Sequence, residues 1–321
     1  MKNGKLEIAV VGAGKIAKKH LEVLTDCEEI ELVALVDLNP QMLDETGNRF
    51  DVENRLSSIE PLLDEKRPDG VFVLVSVLNV ADVAAEFIGE GIPTFMEKPP
   101  GIYAWQTRDL AKLARKTGTL AMVGVNRRFY SANLKGRELL LESGPIRTVT
   151  VEAHEDLERM KAREKFSPEV LRRWSVANGI HALDLLRFFG GEVSKVTAVQ
   201  RTFEWDMPDA CTAIIEYENG ALGRGLMDWT APGGHRFEVR SAGATLTSEP
   251  GFGKLTFRQR GAGPIVLEYD EIDRQYKAGF YRQDHTFLDC IRTGEPLPFP
   301  ACDLDDATRT MEMINQIVGT S

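Results

Sequence analysis

The chain has 321 residues, which at about 100 to 200 residues per domain predicts two domains. Its 43% hydrophobic and 27% charged residues are typical of a globular protein and exclude a disordered chain, while the net charge of −10 argues against a nucleic-acid partner. Four scattered cysteines without a CxxC pair predict reduced thiols and no metal site, and no apolar run reaches the roughly 18 to 20 residues of a membrane helix. We see no signal peptide ahead of the first strand-like segment and expect a cytoplasmic protein without membrane contact.

The first 124 residues alternate short apolar segments with longer amphipathic ones, which is the pattern of β-α-β units around a buried parallel sheet. Strands are predicted at Leu6–Val11, Leu32–Val36, Gly70–Val75, Thr94–Met96 and Leu120–Val123. Helices are predicted between them, at Ile16–Leu24, Pro40–Phe50, Val80–Glu90 and Trp105–Thr117. The sequence therefore predicts an α/β domain with a doubly wound parallel sheet over residues 1–124.

The pattern changes after Val125, where period-two alternation of apolar and polar residues becomes the main signal. After a helix at Ala132–Leu141, strands are predicted at Ile146–His154, Val193–Thr202, Cys211–Tyr217, Leu222–Asp228, Phe237–Ser241, Lys254–Arg258 and Ile265–Tyr269. Two helices, Gln283–Thr293 and Leu304–Val318, close the chain. Residues 125–321 are thus predicted to form an α+β domain with a large open sheet that is mostly antiparallel.

The first predicted strand leads into a glycine-rich turn, Gly12–Ala17, with the pattern G-x-G-x-x-A. Gly12 permits the tight turn, and Gly14 lets a pyrophosphate approach the backbone. The helix that follows begins near Lys15 and Ile16, whose backbone N–H groups point toward an anion at the helix N-terminus. The turn predicts a dinucleotide-binding Rossmann domain; the alternative is a glycine-rich turn in a sheet that binds no nucleotide.

An acidic residue in the expected position strengthens this prediction. Asp37 ends the second strand, about 20 residues after Ala17, where a carboxylate can accept hydrogen bonds from the ribose hydroxyls of adenosine. It is followed by Leu38, Asn39 and Pro40, so no arginine follows to hold a 2′-phosphate, and the carboxylate would repel one. We therefore expect NAD to be preferred over NADP.

A charged pair, Glu97 and Lys98, follows the fourth strand at the edge where doubly wound sheets bind ligands. A lysine there can donate a hydrogen bond to a substrate hydroxyl and, if desolvated, carry a proton. The alternative is a solvated ion pair at the end of a strand.

Five segments carry a resemblance to a known family: Gly12–Ala17, Glu97–Pro99, Gly124–Phe129, Asn178–Asp184 and Phe287–Pro296. Together they are similar to the motifs of the Gfo/Idh/MocA oxidoreductases, and the resemblance runs over essentially the whole chain. It implies a Rossmann domain followed by an α/β domain whose open sheet commonly forms an oligomer interface. We therefore expect a homo-oligomer assembled through that sheet.

The resemblance also implies roles for individual residues. Lys98 resembles the family's lysine that contacts nicotinamide and the substrate hydroxyl, and His181 its general acid and base. Cofactor contacts are implied for Ser76, Asn79, Glu97 and Asn126, with Glu97 beside the nicotinamide ribose. Without the resemblance, a single histidine in the helical segment His181–Phe189 would more often be structural.

The sequence departs from the family pattern at three positions, one of which bears on mechanism. Many members carry an aspartate four residues before the histidine, where this chain has Ala177. The other departures are Val80, in place of a histidine, and Pro100, in place of Leu or Ile. The proton path must then run through His181, Lys98 or a water, with Asp184 or Asn178 assisting.

The residues predicted to contact substrate are Lys98, Arg128, Trp174, Asn178, His181 and Asp184. The pair Arg127 and Arg128 either holds an anionic substrate group or is a surface pair at the start of a helix. Trp174 forms either an apolar wall for a sugar ring or part of the core.

These interpretations predict an NAD(H)-dependent oxidoreductase that transfers hydride to or from a carbinol carbon of a sugar, cyclitol or related polyhydroxy compound. The alternative is a non-catalytic sensor or regulator that binds NAD or sugar on the same fold. A third possibility keeps the fold but reduces an imine or a conjugated double bond.

Overall fold

The computed structural model describes residues 4–64 and 67–320. The strands lie at β1 Leu6–Val11, β2 Ile30–Val36, β3 Arg55–Leu56, β4 Gly70–Val73, β5 Thr94–Glu97, β6 Ala121–Gly124, β7 Ile146–His154, β8 Val193–Arg201, β9 Ala210–Tyr217, β10 Leu222–Asp228, β11 His235–Ser241, β12 Ala244–Ser248, β13 Lys254–Gln259, β14 Ile265–Glu268 and β15 Cys302–Asp303.

The helices lie at α1 Lys15–Leu24, α2 Pro40–Arg49, α3 Glu60–Asp64, α4 Val80–Gly89, α5 Ala104–Thr117, α6 Ser131–Glu142, α7 Leu157–Lys161, α8 Pro168–Arg172, α9 Trp174–Ala177, α10 Ile180–Gly190, α11 Glu271–Gln275, α12 Phe280–Thr293 and α13 Leu304–Val318. A 3₁₀ turn, Asn126–Phe129, follows β6. Within the described ranges, no helix has both the length and the apolar character needed to cross a membrane.

The chain divides into two compact units, of which the first contains Met1–Asn126 and Ile272–Thr308, and the second Arg127–Glu271 and Arg309–Ser321. The sequence predicted a single boundary between residues 124 and 125. The difference arises because β15 pairs antiparallel with β6, which brings the segment after residue 271 back to the first unit. Local periodicity contains no information about a pairing over such a sequence distance.

The first unit is built on a seven-stranded sheet in the order β15-β6-β5-β4-β1-β2-β3. All of its pairs are parallel except β15 with β6, so the predicted doubly wound sheet is confirmed. β1 pairs with β2 on one side and β4 on the other, and the strand order reverses at that point. In such sheets the crevice at the reversal, beyond the carboxyl ends of the strands, is the ligand site.

The second unit contains an eight-stranded sheet in the order β14-β13-β12-β11-β7-β10-β9-β8. Only β7 and β10 run parallel, so the prediction of a mostly antiparallel sheet is confirmed. One face of the sheet is covered by α10, which packs on β7, β10 and β11, and β9 alternates buried and exposed residues as a strand with one covered face does. The sequence did not predict the strand β12, Ala244–Ser248. This segment is short and rich in threonine, and it is held as a strand by pairing with β11 on one side and β13 on the other.

Candidate active site

The glycine-rich turn joins β1 to α1 at the point where the strand order reverses. Gly12 has a φ of +108°, which a side chain would strain, and a Cβ there would lie 2.5 Å from the carbonyl oxygen of Leu74. A Cβ at Gly14 would meet only the Met42 Cε, 3.6 Å away, so the backbone at this position is open. The first N–H groups of α1, beginning at Lys15, have no partner within the helix by its geometry. The turn therefore fits a pyrophosphate.

Asp37 lies against this turn, where its carboxylate has a structural role. Its Oδ2 accepts a hydrogen bond from the N–H of Ala13 at 2.7 Å, and its Oδ1 accepts one from the N–H of Asn39 at 2.8 Å. Thr46 donates to the carbonyl oxygen of Ala13 at 2.9 Å from the other side. Because each carboxylate oxygen has two lone pairs, Asp37 can hold the turn and still accept bonds from a ribose.

The loops after β4, β5 and β6 extend from the same carboxyl edge of the parallel sheet. Ser76 and Asn79 are exposed after β4, and the backbone N–H of Asn79 donates to the carbonyl of Ser76 at 2.8 Å. Lys98 is half-buried and joined to Pro99 by a cis peptide bond. The remaining two predicted residues are Glu97, at the end of β5, and Asn126, after β6.

Asn126 is buried, unlike the predicted cofactor contacts after β4. Its side-chain amide donates to the carbonyl oxygen of Ala278 at 3.0 Å, within the first unit. This contact ties the segment after β6 to the chain that returns before α12. Its position is compatible with the predicted cofactor contact, and its amide also has a structural partner.

His181 lies in the first turn of α10 in the second unit. Every other residue of this helix is buried, whereas the imidazole of His181 is half-buried. A titratable ring at the one accessible position of an otherwise buried helix is suited to proton exchange with a ligand. The predicted helix His181–Phe189 is confirmed with one further residue at each end.

Two residues predicted to contact substrate instead bind each other. The guanidinium of Arg128 donates two hydrogen bonds to Asp184, at 2.7 Å from Nε and 2.6 Å from Nη2, and both side chains are buried. Asp184 also accepts a bond from the hydroxyl of Thr310 at 3.1 Å. This bidentate pair supports a structural role, and we no longer expect Arg128 or Asp184 to contact substrate.

Glu155, which sequence reasoning missed, lies against the segment that carries His181. Its Oε1 accepts a hydrogen bond from the amide of Asn178 at 2.6 Å, and its Oε2 accepts one from the indole N–H of Trp174 at 3.1 Å. Trp174 is buried and contacts Phe166 edge to face, in agreement with the core interpretation. No local sequence pattern marks Glu155 as a site residue. It comes directly after β7, in which buried residues alternate with partly exposed ones, and it meets Asn178 only through the tertiary fold.

His235 and Arg127 extend this group. Nε2 of His235 lies 2.6 Å from Oε1 of Glu155, and Nη1 of Arg127 donates to Nδ1 of His235 at 2.9 Å. Because a guanidinium only donates, Nδ1 is the acceptor and the ring proton is on Nε2, which faces Glu155. Burial works to raise the pKa of Glu155, but the contacts with His235, Asn178 and Trp174 outweigh it and hold that pKa below its ordinary value.

Two family models match the chain. The model described as "Oxidoreductase family, NAD-binding Rossmann fold" matches residues 6–125, and the model of the GFO/IDH/MocA C-terminal domain matches residues 141–247. Among curated relatives, the Myo-inositol 2-dehydrogenase of Thermotoga maritima is 23% identical over 91% of this chain and 90% of its own length. Four other curated relatives are matched over 56% to 67% of their own lengths.

Solved structures share the fold over nearly the whole chain. A Desulfitobacterium hafniense protein provisionally named an NADPH-dependent oxidoreductase has a TM-score of 0.85 at 18% identity, covering 99% of this chain and 95% of that one. Levoglucosan dehydrogenase in complex with NADH has a TM-score of 0.81 at 17% identity, covering 98% and 96%. At these identities the similarity establishes the fold.

Proposed function

Because the chain belongs to the Gfo/Idh/MocA family of NAD-binding oxidoreductases, we propose that it is a dehydrogenase acting on an alcohol carbon of a sugar, cyclitol or related polyhydroxy compound. The observation that carries the proposal is the tight turn at Gly12, open at Gly14, with the carboxylate of Asp37 hydrogen-bonded to it. Relatives named for inositol and D-apiose support the substrate class.

NAD is the proposed cofactor, in preference to NADP. The Asp37 carboxylate fixed at the turn would repel a 2′-phosphate, and neutral residues follow it in the chain. The backbone at Gly12 and Gly14 would hold the pyrophosphate, and Ser76, Asn79, Glu97 and Asn126 remain the further residues proposed to contact the cofactor. When bound, the nicotinamide supplies the hydride chemistry.

The proposed roles of the protein's own residues concern the substrate hydroxyl. Lys98 donates a hydrogen bond to that hydroxyl and orients it. The imidazole of His181 takes the hydroxyl proton in oxidation and returns it in reduction, acting as general base and general acid. Asn178, held by Glu155, completes the proposed contacts near His181. Many family members carry an aspartate at the position of Ala177. In this chain we propose that the carboxylate of Glu155, in the second unit, supports the segment instead.

The test is NAD reduction with a panel of polyols and sugars, followed by nicotinamide absorbance. Lys98→Ala should lose most of the turnover and still bind NADH, as measured by quenching of tryptophan fluorescence. Lys112→Ala, at an exposed lysine on α5 that pairs with Asp109, is the matched control and should retain turnover. Turnover in Lys98→Ala equal to that of the natural chain would reject the proposed role.

The second candidate function is a sensor that binds NAD or sugar without turnover, and the observation that favours it is Ala177, which supplies no carboxylate to the helix of His181. Tight NADH binding with no turnover across the whole panel would favour the sensor. Turnover with any one alcohol would exclude it.

We also propose that the protein is a homo-oligomer that assembles through the open sheet. The face of that sheet away from α10 exposes apolar side chains on neighbouring strands, at Val199, Ile214 and Leu222. Exposed apolar residues clustered in this way are typical of an interface between subunits. All four cysteines are unpaired and buried, which supports the reducing cytoplasm as the proposed compartment.

A further inference from the structure

A histidine with no role in the proposed reaction is fully buried beneath the strand end that carries Lys98. His20 lies on α1, which packs against α12 in the first unit. Its Nδ1 lies 2.8 Å from Oδ2 of Asp284 on α12, and its Nε2 lies 3.3 Å from Oε1 of Glu97 at the end of β5. The ring is enclosed by three aromatic side chains, whose ring centroids lie 4.5 to 5.7 Å away: Phe72, Phe95 and Phe280.

With both carboxyl groups ionised, the two contacts require a charged ring. A neutral imidazole has one N–H and could donate to only one of the two carboxylates, whereas the imidazolium donates to both. Burial works to lower the pKa of His20, but the charge and hydrogen bonds of Asp284 and Glu97 outweigh it and raise that pKa from 6.5 to about 9. At neutral pH the ring is therefore an imidazolium that lies between the carboxyl groups of Asp284 and Glu97.

The other charged and titratable groups near the network of His20, Asp284 and Glu97 face its two carboxyl groups. Burial works to raise the pKa of Glu97, but His20, together with the positive charges of Lys277 and Lys98, lowers it. Burial raises the pKa of Asp284, while the charge and hydrogen bond of His20 act to lower it, and His285 also faces this carboxyl group. Gly124 leaves room for Oε1 of Glu97, since a Cβ at that position would lie only 3.2 Å from it. The carboxylate next to Lys98 in the chain is thus ionised and held in one place.

We propose that His20 is a positioning residue, which as a buried imidazolium holds the Glu97 carboxylate and so fixes the backbone from which Lys98 extends. The inference rests on the proposed function only where it assigns Lys98 to the substrate hydroxyl. The ammonium of Lys98 then points in one direction because the residue before it is tied to α1 and, through His20, to α12. An aromatic enclosure keeps water away from both hydrogen bonds and strengthens them.

The network can be tested without substrate by NMR of the whole chain with labelled histidine. His20→Gln identifies the His20 signal, which should titrate near pH 9 and show an imidazolium with both ring nitrogens protonated at pH 7.5. A ring that titrates below pH 7, or is neutral at pH 7.5, overturns the inference. Asp284→Asn, which keeps the shape of the side chain and removes its charge, should lower the pKa of His20.

The link to Lys98 has its own readout. Lysines labelled by reductive methylation report the surroundings of each amine, and Lys98→Arg identifies the Lys98 signal. That signal should shift in His20→Gln and in Asp284→Asn, and remain in place in Leu21→Val, a buried apolar change on the same helix. An unchanged Lys98 signal in both network variants overturns the positioning role.

Turnover then separates positioning from simple loss of stability. In an alcohol-dependent assay, Asp284→Asn and His20→Gln should lower kcat by about tenfold or more and change the Kd for NADH by less than about twofold. Leu21→Val should lower the unfolding temperature with little change in kcat. Network variants with natural kcat overturn the inference. If the natural chain turns over no alcohol, the proposed function fails, while the two NMR results still decide whether the network exists and acts on Lys98.

Discussion

The buried charge of His20 should make the stability of the protein depend on pH in a specific window. The pKa of His20 is raised from 6.5 to about 9 in the folded chain. A raised pKa contributes stability that is fully present below the unfolded value and is lost as the pH rises through the folded value. At about 1.4 kcal/mol for each pKa unit, the contribution is of the order of 3 kcal/mol below pH 6.5.

The assay is urea unfolding, between pH 6 and pH 10, of the natural chain and of the double variant His20→Gln/Asp284→Asn. The double variant is needed because burial raises the pKa of Asp284, which could carry the proton itself once His20 is removed. The difference in unfolding free energy between the two proteins should decrease by about 3 kcal/mol over this range, with most of the decrease between pH 6.5 and pH 9. Leu21→Val serves as the control, because its cost comes from a cavity and should not vary with pH. A difference that stays constant, or grows, as the pH rises would refute the assignment of a buried imidazolium.

Four further predictions concern the site and the sheets. Asp37→Ser should weaken NADH binding roughly 10- to 100-fold and NADPH binding much less, since a charge-assisted hydrogen bond contributes about 1.5 to 3 kcal/mol; fluorescence titration with both nucleotides checks this. Asp184→Ala should lower the unfolding free energy by about 3 to 5 kcal/mol, because the guanidinium of Arg128 would remain buried and unpaired; urea unfolding measures it. Glu155→Gln should reduce kcat by about tenfold without changing the Kd for NADH, whereas unchanged steady-state kinetics would remove Glu155 from the site. Ile214→Glu should dissociate the oligomer without unfolding it, as judged by light scattering and circular dichroism.

Much of the fold could be predicted because its elements follow from local patterns. The strands Leu6–Val11, Ile146–His154 and Leu222–Asp228 and the helix Leu304–Val318 have the predicted limits, since each is a periodic segment bounded by turn residues. The candidate cofactor turn was likewise visible, because Gly12, Gly14 and Asp37 follow a fixed order along one β-α-β unit.

The roles of the charged residues were less accessible to sequence reasoning. Arg128 and Asp184 are 56 residues apart, and in the sequence each is a charged residue near a site motif. Only the fold shows that they are buried and paired with each other. Glu155 and Asn178 meet across 23 residues, in a contact that no periodicity signals. The role of a charged side chain can be assigned only when its partner is known, because burying a charge without a partner costs free energy.

The sequence by itself determined the β-α-β order of the first half, the alternating strands of the second and the turn at the head of α1, because these depend on neighbours within a few residues. Only the tertiary structure decided that His20 meets Asp284, 264 residues away, and that the segment after residue 271 returns to the first unit. Whether an ionisable group is exposed, paired or buried is a property of the assembled chain, and its charge follows from that environment.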